Sequence, residues 1–222
     1  MEKIYKKAKK YNSILINDAA QAIAHEKVSF NSCDVIAFSA NKFYGPTGLG
    51  VLGIKSELLR KVSPSKFGGG SVANINKDNS WTLKDTITIF EPGTPDLAGI
   101  YMFNESLNFF DSIGYKRTNA ILDDLSIYLH NELSKLDNID LYSKPGDKIA
   151  LINVKNVNAQ DVATYLGDKN IYTIAGIFCA PYLRNIKSDN SYLRISLAIY
   201  NNYDDIDKLV NELKNGGDFL EF

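Results

Sequence analysis

The chain is poor in the residues that announce a specialised architecture. Among 222 residues there are two cysteines and two histidines. Cys33 and Cys179 lie far apart, too few for a disulfide scaffold and wrongly spaced for a zinc site, which points to a reducing compartment. His25 and His130 have no metal-ligand spacing and read as packing or surface residues, so no metal is expected. Neither charge sign is in excess: 25 Lys and Arg face 26 Asp and Glu, a formal net charge of −1. That balance gives no field to draw in nucleic acid or an anionic bilayer, and neither is expected as a partner. Apolar runs such as Ile149 to Val154 stay well below the roughly 20 residues of a spanning helix, so no membrane insertion is expected. The opening MEKIYKKAKKYNS lacks the apolar stretch and small-residue cleavage site of a secretory signal, and the expected location is the cytoplasm.

What is present suffices for one or two cores, since 45% of the residues are hydrophobic. Ile4, Tyr5, Ala8 and Tyr11 recur at helical spacing, with lysines forming a solvated face. Ser13–Asn17 and Val35–Ser39 read as buried strands, and Gly48–Ile54 as a third behind a Tyr-Gly-Pro-Thr turn. Pro64 to Phe90, with three consecutive glycines at 68–70, reads as a long surface loop with strand fragments near its end. The triple glycine is no phosphate loop, because it precedes no helix and lacks the Lys-Ser/Thr ending. From Asp96 the spacing predicts a helix closed by Gly114, then a second from Tyr115 to Leu136 with Ile121, Leu125, Leu129 and Leu133 four residues apart. Strands at 139–142, 149–154, 171–174 and 192–198 and helices at 159–168 and 204–214 complete an α+β unit. The expected organisation is therefore an α/β part over residues 1–95 and connecting helices with a smaller α+β domain over 96–222. Only two or three strands are available for a parallel sheet, so the first part reads as part of a domain.

Asp18 and Lys42 each fall at the carboxyl end of a predicted strand, where open α/β sheets bind ligands. Alone, Asp18 also reads as a helix N-cap and Lys42 as a surface lysine. Together they match what pyridoxal phosphate (PLP) needs, a Schiff-base amine and an anion for the protonated ring nitrogen. Five collinear blocks then point to one family. They are Asp18-Ala19-Ala20-Gln21; Cys33-Asp34 to Phe38-Ser39-Ala40-Asn41-Lys42 followed by Tyr44-Gly45-Pro46-Thr47-Gly48; Phe90-Glu91-Pro92-Gly93-Thr94-Pro95-Asp96; Ala175-Gly176-Ile177-Phe178-Cys179-Ala180; and Leu193-Arg194-Ile195-Ser196 with Tyr200-Asn201. This pattern resembles class V aminotransferase-fold enzymes, most closely cysteine desulfurases of the SufS type, with selenocysteine lyases nearby.

The resemblance implies a fold-type I PLP-dependent transferase. This chain would hold part of its large α/β domain and its small C-terminal α+β domain. It implies Lys42 as the Schiff-base lysine, Asp18 on the pyridine nitrogen and Gln21 on the ring hydroxyl. Ser39 and Asn41 would bind the cofactor phosphate, and Thr94 would do so across a homodimer interface. Arg194 would clamp the carboxylate of L-cysteine, and Cys179 would take its sulfur as a persulfide, releasing alanine. The sulfur would pass to an acceptor protein for iron-sulfur clusters or thiolated products. Cys33, at the entry of a strand, reads as structural. Asn41 stands where the family commonly has His, a mild change because Asn still donates a hydrogen bond. Ile174 to Phe178 replace a lead that often reads Arg-Thr-Gly-His-His, which removes positive charge from the cysteine loop. The resemblance covers roughly the C-terminal half of a typical member. Two other readings therefore stand beside the desulfurase: a non-catalytic fragment or split subunit needing a separate N-terminal half, and a related class V enzyme such as a selenocysteine lyase or aminotransferase.

Overall fold

The computed structural model describes residues 1–187 and 190–214. They form two compact units that divide between Tyr115 and Lys116.

The first unit opens with helix α1 (Glu2–Lys10) and continues with strands β1 (Ile16–Asp18), β2 (Val35–Ser39) and β3 (Gly50–Ile54). The three form one sheet in the order β1-β2-β3, with β1 parallel to β2 and β3 antiparallel to it. Strand β1 starts later than its apolar run suggests because the preceding residues close α1. Asn12 is left-handed at φ 53°, and the Ser13 N–H donates back to the Ala8 carbonyl at 3.0 Å. Nor is β1 buried, contrary to expectation. Ile16 and Leu52, which share a face with Ala37, are each 63% exposed, whereas Val35 on that face is buried.

The opposite face packs Ile36 against Ala19, Ile23, Cys33, Ala40, Phe43, Phe103 and Phe110. A short helix α2 (Ser56–Leu59) follows β3, and the long loop folds into a hairpin of β4 (Val72–Ile75) and β5 (Trp81–Leu83). Helix α3 (Leu97–Ile113) starts where Asp96 Oδ1 accepts the Gly99 N–H at 2.9 Å and stops at Gly114, φ 77°. The rings of its Phe110 and Phe43 lie 4.4 Å apart. That contact packs α3 within the first unit.

Asp34, 3% exposed, ties α1 to the sheet. Its carboxylate accepts from Lys9 Nζ (2.8 Å), the Leu15 N–H (2.9 Å) and the Tyr5 hydroxyl (3.0 Å), and Lys55 Nζ donates to the same Tyr5 hydroxyl at 2.6 Å. Part of the expected lysine face of α1 is thus an anchor. Burial pushes the Asp34 carboxyl up, but the hydrogen bonds from Lys9, Leu15 and Tyr5 outweigh it and hold the group at about 2. A folded-state value below the ordinary one adds stability that is complete above about pH 4 and is lost as pH falls through about 2. Asp34→Asn should lower the melting temperature at pH 7 and flatten that acid dependence. Thermal melts between about pH 2 and pH 6 measure both effects.

The second unit comprises α4 (Tyr115–Leu133) from its second residue on, β6 (Ile139–Leu141), β7 (Ile149–Val154), α5 (Ala159–Asp168), β8 (Ile174–Gly176), α6 (Leu183–Lys187), β9 (Tyr192–Ser196) and α7 (Tyr203–Lys214). Its antiparallel sheet runs β6-β7-β9-β8. Helix α4 ends earlier than predicted, at Leu133, as its last turn tightens into a Leu136 N–H to Leu133 carbonyl bond. Strand β8 comes later than predicted because Ile171 is spent on closing α5. Asn170 is left-handed (φ 60°), and the Ile171 N–H donates to the Leu166 carbonyl at 2.8 Å. His130 is buried, with Nδ1 2.8 Å from the Ser126 carbonyl and Nε2 2.8 Å from Ser143 Oγ, a packing role. The core joins Leu125, Leu129 and Leu133 of α4 to Ile152, Leu193, Val162 and Leu209. Leu129 is fully buried, so Leu129→Ala should cost about 2–5 kcal/mol, read from the urea midpoint. No described helix is long and apolar enough to cross a membrane.

Candidate functional site

The first unit holds six of the residues singled out from sequence, of which Asp18 and Ser39 line one concavity. Asp18 is the last residue of β1 and stands opposite Ala37 in register. Ser39 ends β2 opposite Gly50, and period-two alternation puts Asp18, Ala37, Ser39 and Gly50 on one face. Asp18, Ala20, Ser39 and Gly50 line an open concavity there. Asp18 Oδ1 accepts the Ala20 N–H at 3.1 Å, an Asx turn that fixes the carboxylate at the strand end.

Lys42 lies on a 3-10 turn, Ala40–Phe43, between β2 and β3. The turn is pinned from below: Ala40 and Phe43 are buried, the Ala40 N–H donates to the Leu49 carbonyl at 2.9 Å, and Tyr44 closes it in the left-handed region at φ 60°. Lys42 and Asn41 are exposed on its other side. Gly45 is required by close approach, because a Cβ there would lie 2.6 Å from the Phe103 ring and 2.9 Å from the Ala40 carbonyl. Gly45→Ala should therefore displace the turn that carries Lys42, seen as loss of the aromatic near-ultraviolet signal of the Phe43 cluster. Gln21 and Thr94 are exposed. The turn before Thr94 is held by the Gly93 N–H, which donates to the Gly69 carbonyl at 2.7 Å. Cys33 is fully buried and its Sγ lies 3.4 Å from the Ser29 carbonyl, a structural setting.

These residues fit PLP. The donor set combines a primary amine, a fixed carboxylate, a hydroxyl without a capping bond and an amide. The small residues Ala20, Ala37 and Gly50 line the concavity beside Phe38, Val51 and Leu52.

The second unit holds the other two. Arg194 sits in β9, opposite Leu151 of β7 and Ile174 of β8. It is half-buried, and its Nε is buried without a hydrogen-bond partner. The chain leaves β8 at Gly176 and turns sharply: Phe178 and Cys179 are both left-handed, at φ 52° and 60°. The Ala180 N–H closes this turn on the Ile177 carbonyl at 2.8 Å. Cys179 is exposed, and the Phe178 ring lies over the Arg194 guanidinium, 4.9 Å from Cζ to centroid. That contact was missed from sequence, where a single aromatic in a loop has no periodicity. The one available hint is that Phe178 departs from the family pattern.

Comparison with known proteins extends this picture. The family model described as Aminotransferase class-V matches residues 1–209. A probable cysteine desulfurase of Ureaplasma parvum is 36% identical over 200 residues, covering 89% of this chain and 50% of that protein. One from Staphylococcus aureus is 34% identical over 218 residues, 96% of this chain and 52% of that protein. Among solved structures, the cysteine desulfurase CsdA of Escherichia coli superposes with a TM-score of 0.85 at 28% identity, over 95% of this chain and 53% of that one. The apo cysteine desulfurase of Thermococcus onnurineus gives 0.85 at 27% identity, over 96% and 55%. The chain thus spans about half the length of the curated relatives it matches.

Proposed function

The chain belongs to the aminotransferase class-V family, and from that premise we propose that it carries the cofactor lysine and the sulfur-accepting cysteine of a PLP-dependent cysteine desulfurase. The observation that carries this reading is an exposed thiol, Cys179, on the turn leaving β8 and in contact range of a half-buried arginine through Phe178.

PLP, when bound, supplies the electron sink for bond breaking next to the amino-bearing carbon. The Lys42 amine holds it. The Asp18 carboxylate, fixed by the Ala20 N–H, keeps the ring nitrogen protonated, and Gln21 donates to the ring oxygen. Ser39 and Asn41 donate to the phosphate, as does Thr94 from a second copy of the chain. The exposed apolar residues that follow Thr94 on α3, Leu97, Ile100, Tyr101 and Met102, support that homodimer. Arg194 presents a planar fork to the carboxylate of L-cysteine. The Cys179 thiolate attacks the substrate sulfur: an S–S bond forms, the C–S bond breaks, and the bonding pair stays with the carbon fragment that leaves as L-alanine. The persulfide on Cys179 then passes to an acceptor protein, in iron-sulfur assembly or thiolation. A free exposed thiol in this role suits a reducing compartment such as the cytoplasm.

Incubation with PLP, L-cysteine and a thiol reductant should yield alanine and sulfide in equal amounts. Alanine without sulfide, or neither product, contradicts the reading. A second reading has one observation in its favour. The outer edges of β1 and β3 carry no strand among the described residues, and the face of Ile16 and Leu52 is exposed. In that case the chain acts as one subunit of a split enzyme, and both products appear only when a polypeptide matching the rest of the relatives is added.

A further inference from the structure

We propose that Phe178 is a positioning residue, a latch whose ring stacks on Arg194 and holds the Cys179 turn against the substrate-carboxylate clamp. The inference rests on the reading of Arg194 and Cys179 given above and adds a physical link between them.

Three observations carry it. First, the Cys179 turn is not a conformation the backbone adopts unaided. Phe178 and Cys179 are consecutive non-glycine residues in the left-handed region, where the Cβ crowds the carbonyl and strain accumulates residue by residue. Such a pair persists only when something outside the turn holds it. Within the turn there is one backbone hydrogen bond, Ala180 N–H to Ile177 carbonyl.

Second, the external hold is visible. The Phe178 ring faces the guanidinium at 4.9 Å, within range of an attractive cation–π contact. Arg194 itself is well fixed, since β9 is an inner strand hydrogen-bonded to β7 on one side and β8 on the other.

Third, Arg194 has an unmet need. It makes no ion pair among the described residues, and its Nε–H is buried with no acceptor. A buried donor without a partner is costly, and the negative ring face is the stabilising group that the structure gives this cation. A cation held over a ring face keeps its N–H donors for other partners, and a carboxylate binds those of a guanidinium in the fork geometry. Ring and substrate therefore hold the same arginine at once. The consequence is positional: the residue before the nucleophile is tethered to the group that orients the substrate, so the thiol cannot drift from the carboxylate clamp.

The test uses the full chain and does not depend on turnover. Hydrogen–deuterium exchange of the segment from Ile174 to Tyr182 reports opening of the turn, because the Ala180 amide is protected by its bond to Ile177. Phe178→Leu keeps an apolar side chain but removes the ring, and should speed exchange of this amide by about fivefold, the scale of one cation–π contact. Arg194→Gln, which removes the cation, should do the same although it lies in another strand. The double variant should exchange no faster than either single one, and Phe178→Tyr should restore the original rate. If Arg194→Gln leaves the turn unchanged, or if the two effects add, Phe178 is ordinary loop packing and the latch is wrong. If the latch holds while Arg194→Gln leaves the apparent affinity for L-cysteine unchanged, the clamp reading fails and the latch does not.

Discussion

Cys179→Ser should reduce sulfide release from L-cysteine on the order of 10³-fold or more, in whatever assay the unsubstituted chain is active, with PLP binding unchanged. The reason is chemical. A cysteine sulfur attacks sulfur readily, whereas a serine hydroxyl is a far poorer nucleophile and the turn offers no base to activate it. The substitution exchanges one atom on an exposed side chain. Cys33→Ser is the control: that thiol is fully buried beside the Ser29 carbonyl, so its loss should affect stability and leave sulfur transfer intact. Survival of cysteine desulfuration in Cys179→Ser would remove Cys179 from the reaction. If desulfuration is lost while alanine is still formed from selenocysteine, or amino transfer persists, the chain belongs with the selenocysteine lyases or aminotransferases of the family.

Lys42→Ala should abolish turnover altogether, a loss of roughly 10³-fold or more, since in the proposed reading this lysine anchors the cofactor. The fold should survive. Lys42 is exposed and projects from a turn whose stability resides in buried Ala40 and Phe43, so its removal leaves the Phe43–Phe110 ring contact untouched. Urea midpoints for the two proteins should agree within about 0.5 kcal/mol. Loss of activity together with loss of stability would point instead to a structural role for the lysine.

Much of this was legible from the order of residues, and the failures have a common cause. Strands β2 and β7 and helix α5 coincide with their predicted bounds, because each is an apolar or amphipathic run closed by turn-forming residues at both ends. Strands β1 and β8 were placed too early for one reason. In both, an asparagine in the left-handed region, Asn12 or Asn170, closes the helix before it, and the next apolar residues are spent on that closure. Asparagine shortly after a helical pattern was the available signal. Asp18 and Lys42 were singled out because strand ends are where α/β sheets place ligands, and Ser39 through the family resemblance. The Asp34 anchor and the Phe178 stack were not, since each joins residues remote in sequence: Tyr5 and Lys55 around the carboxylate, Arg194 under the ring. A pairwise contact between single residues leaves no period to read.

The central claim is that this chain's own residues hold PLP at Lys42. Borohydride reduction of the chain mixed with PLP, followed by peptide mass spectrometry, tests it most directly. The account predicts a single reduced adduct on the peptide containing Lys42, formed at stoichiometric PLP and lost in Asp18→Ala. An adduct spread over exposed lysines such as Lys3, Lys6 and Lys7, with no preference for Lys42, would contradict it.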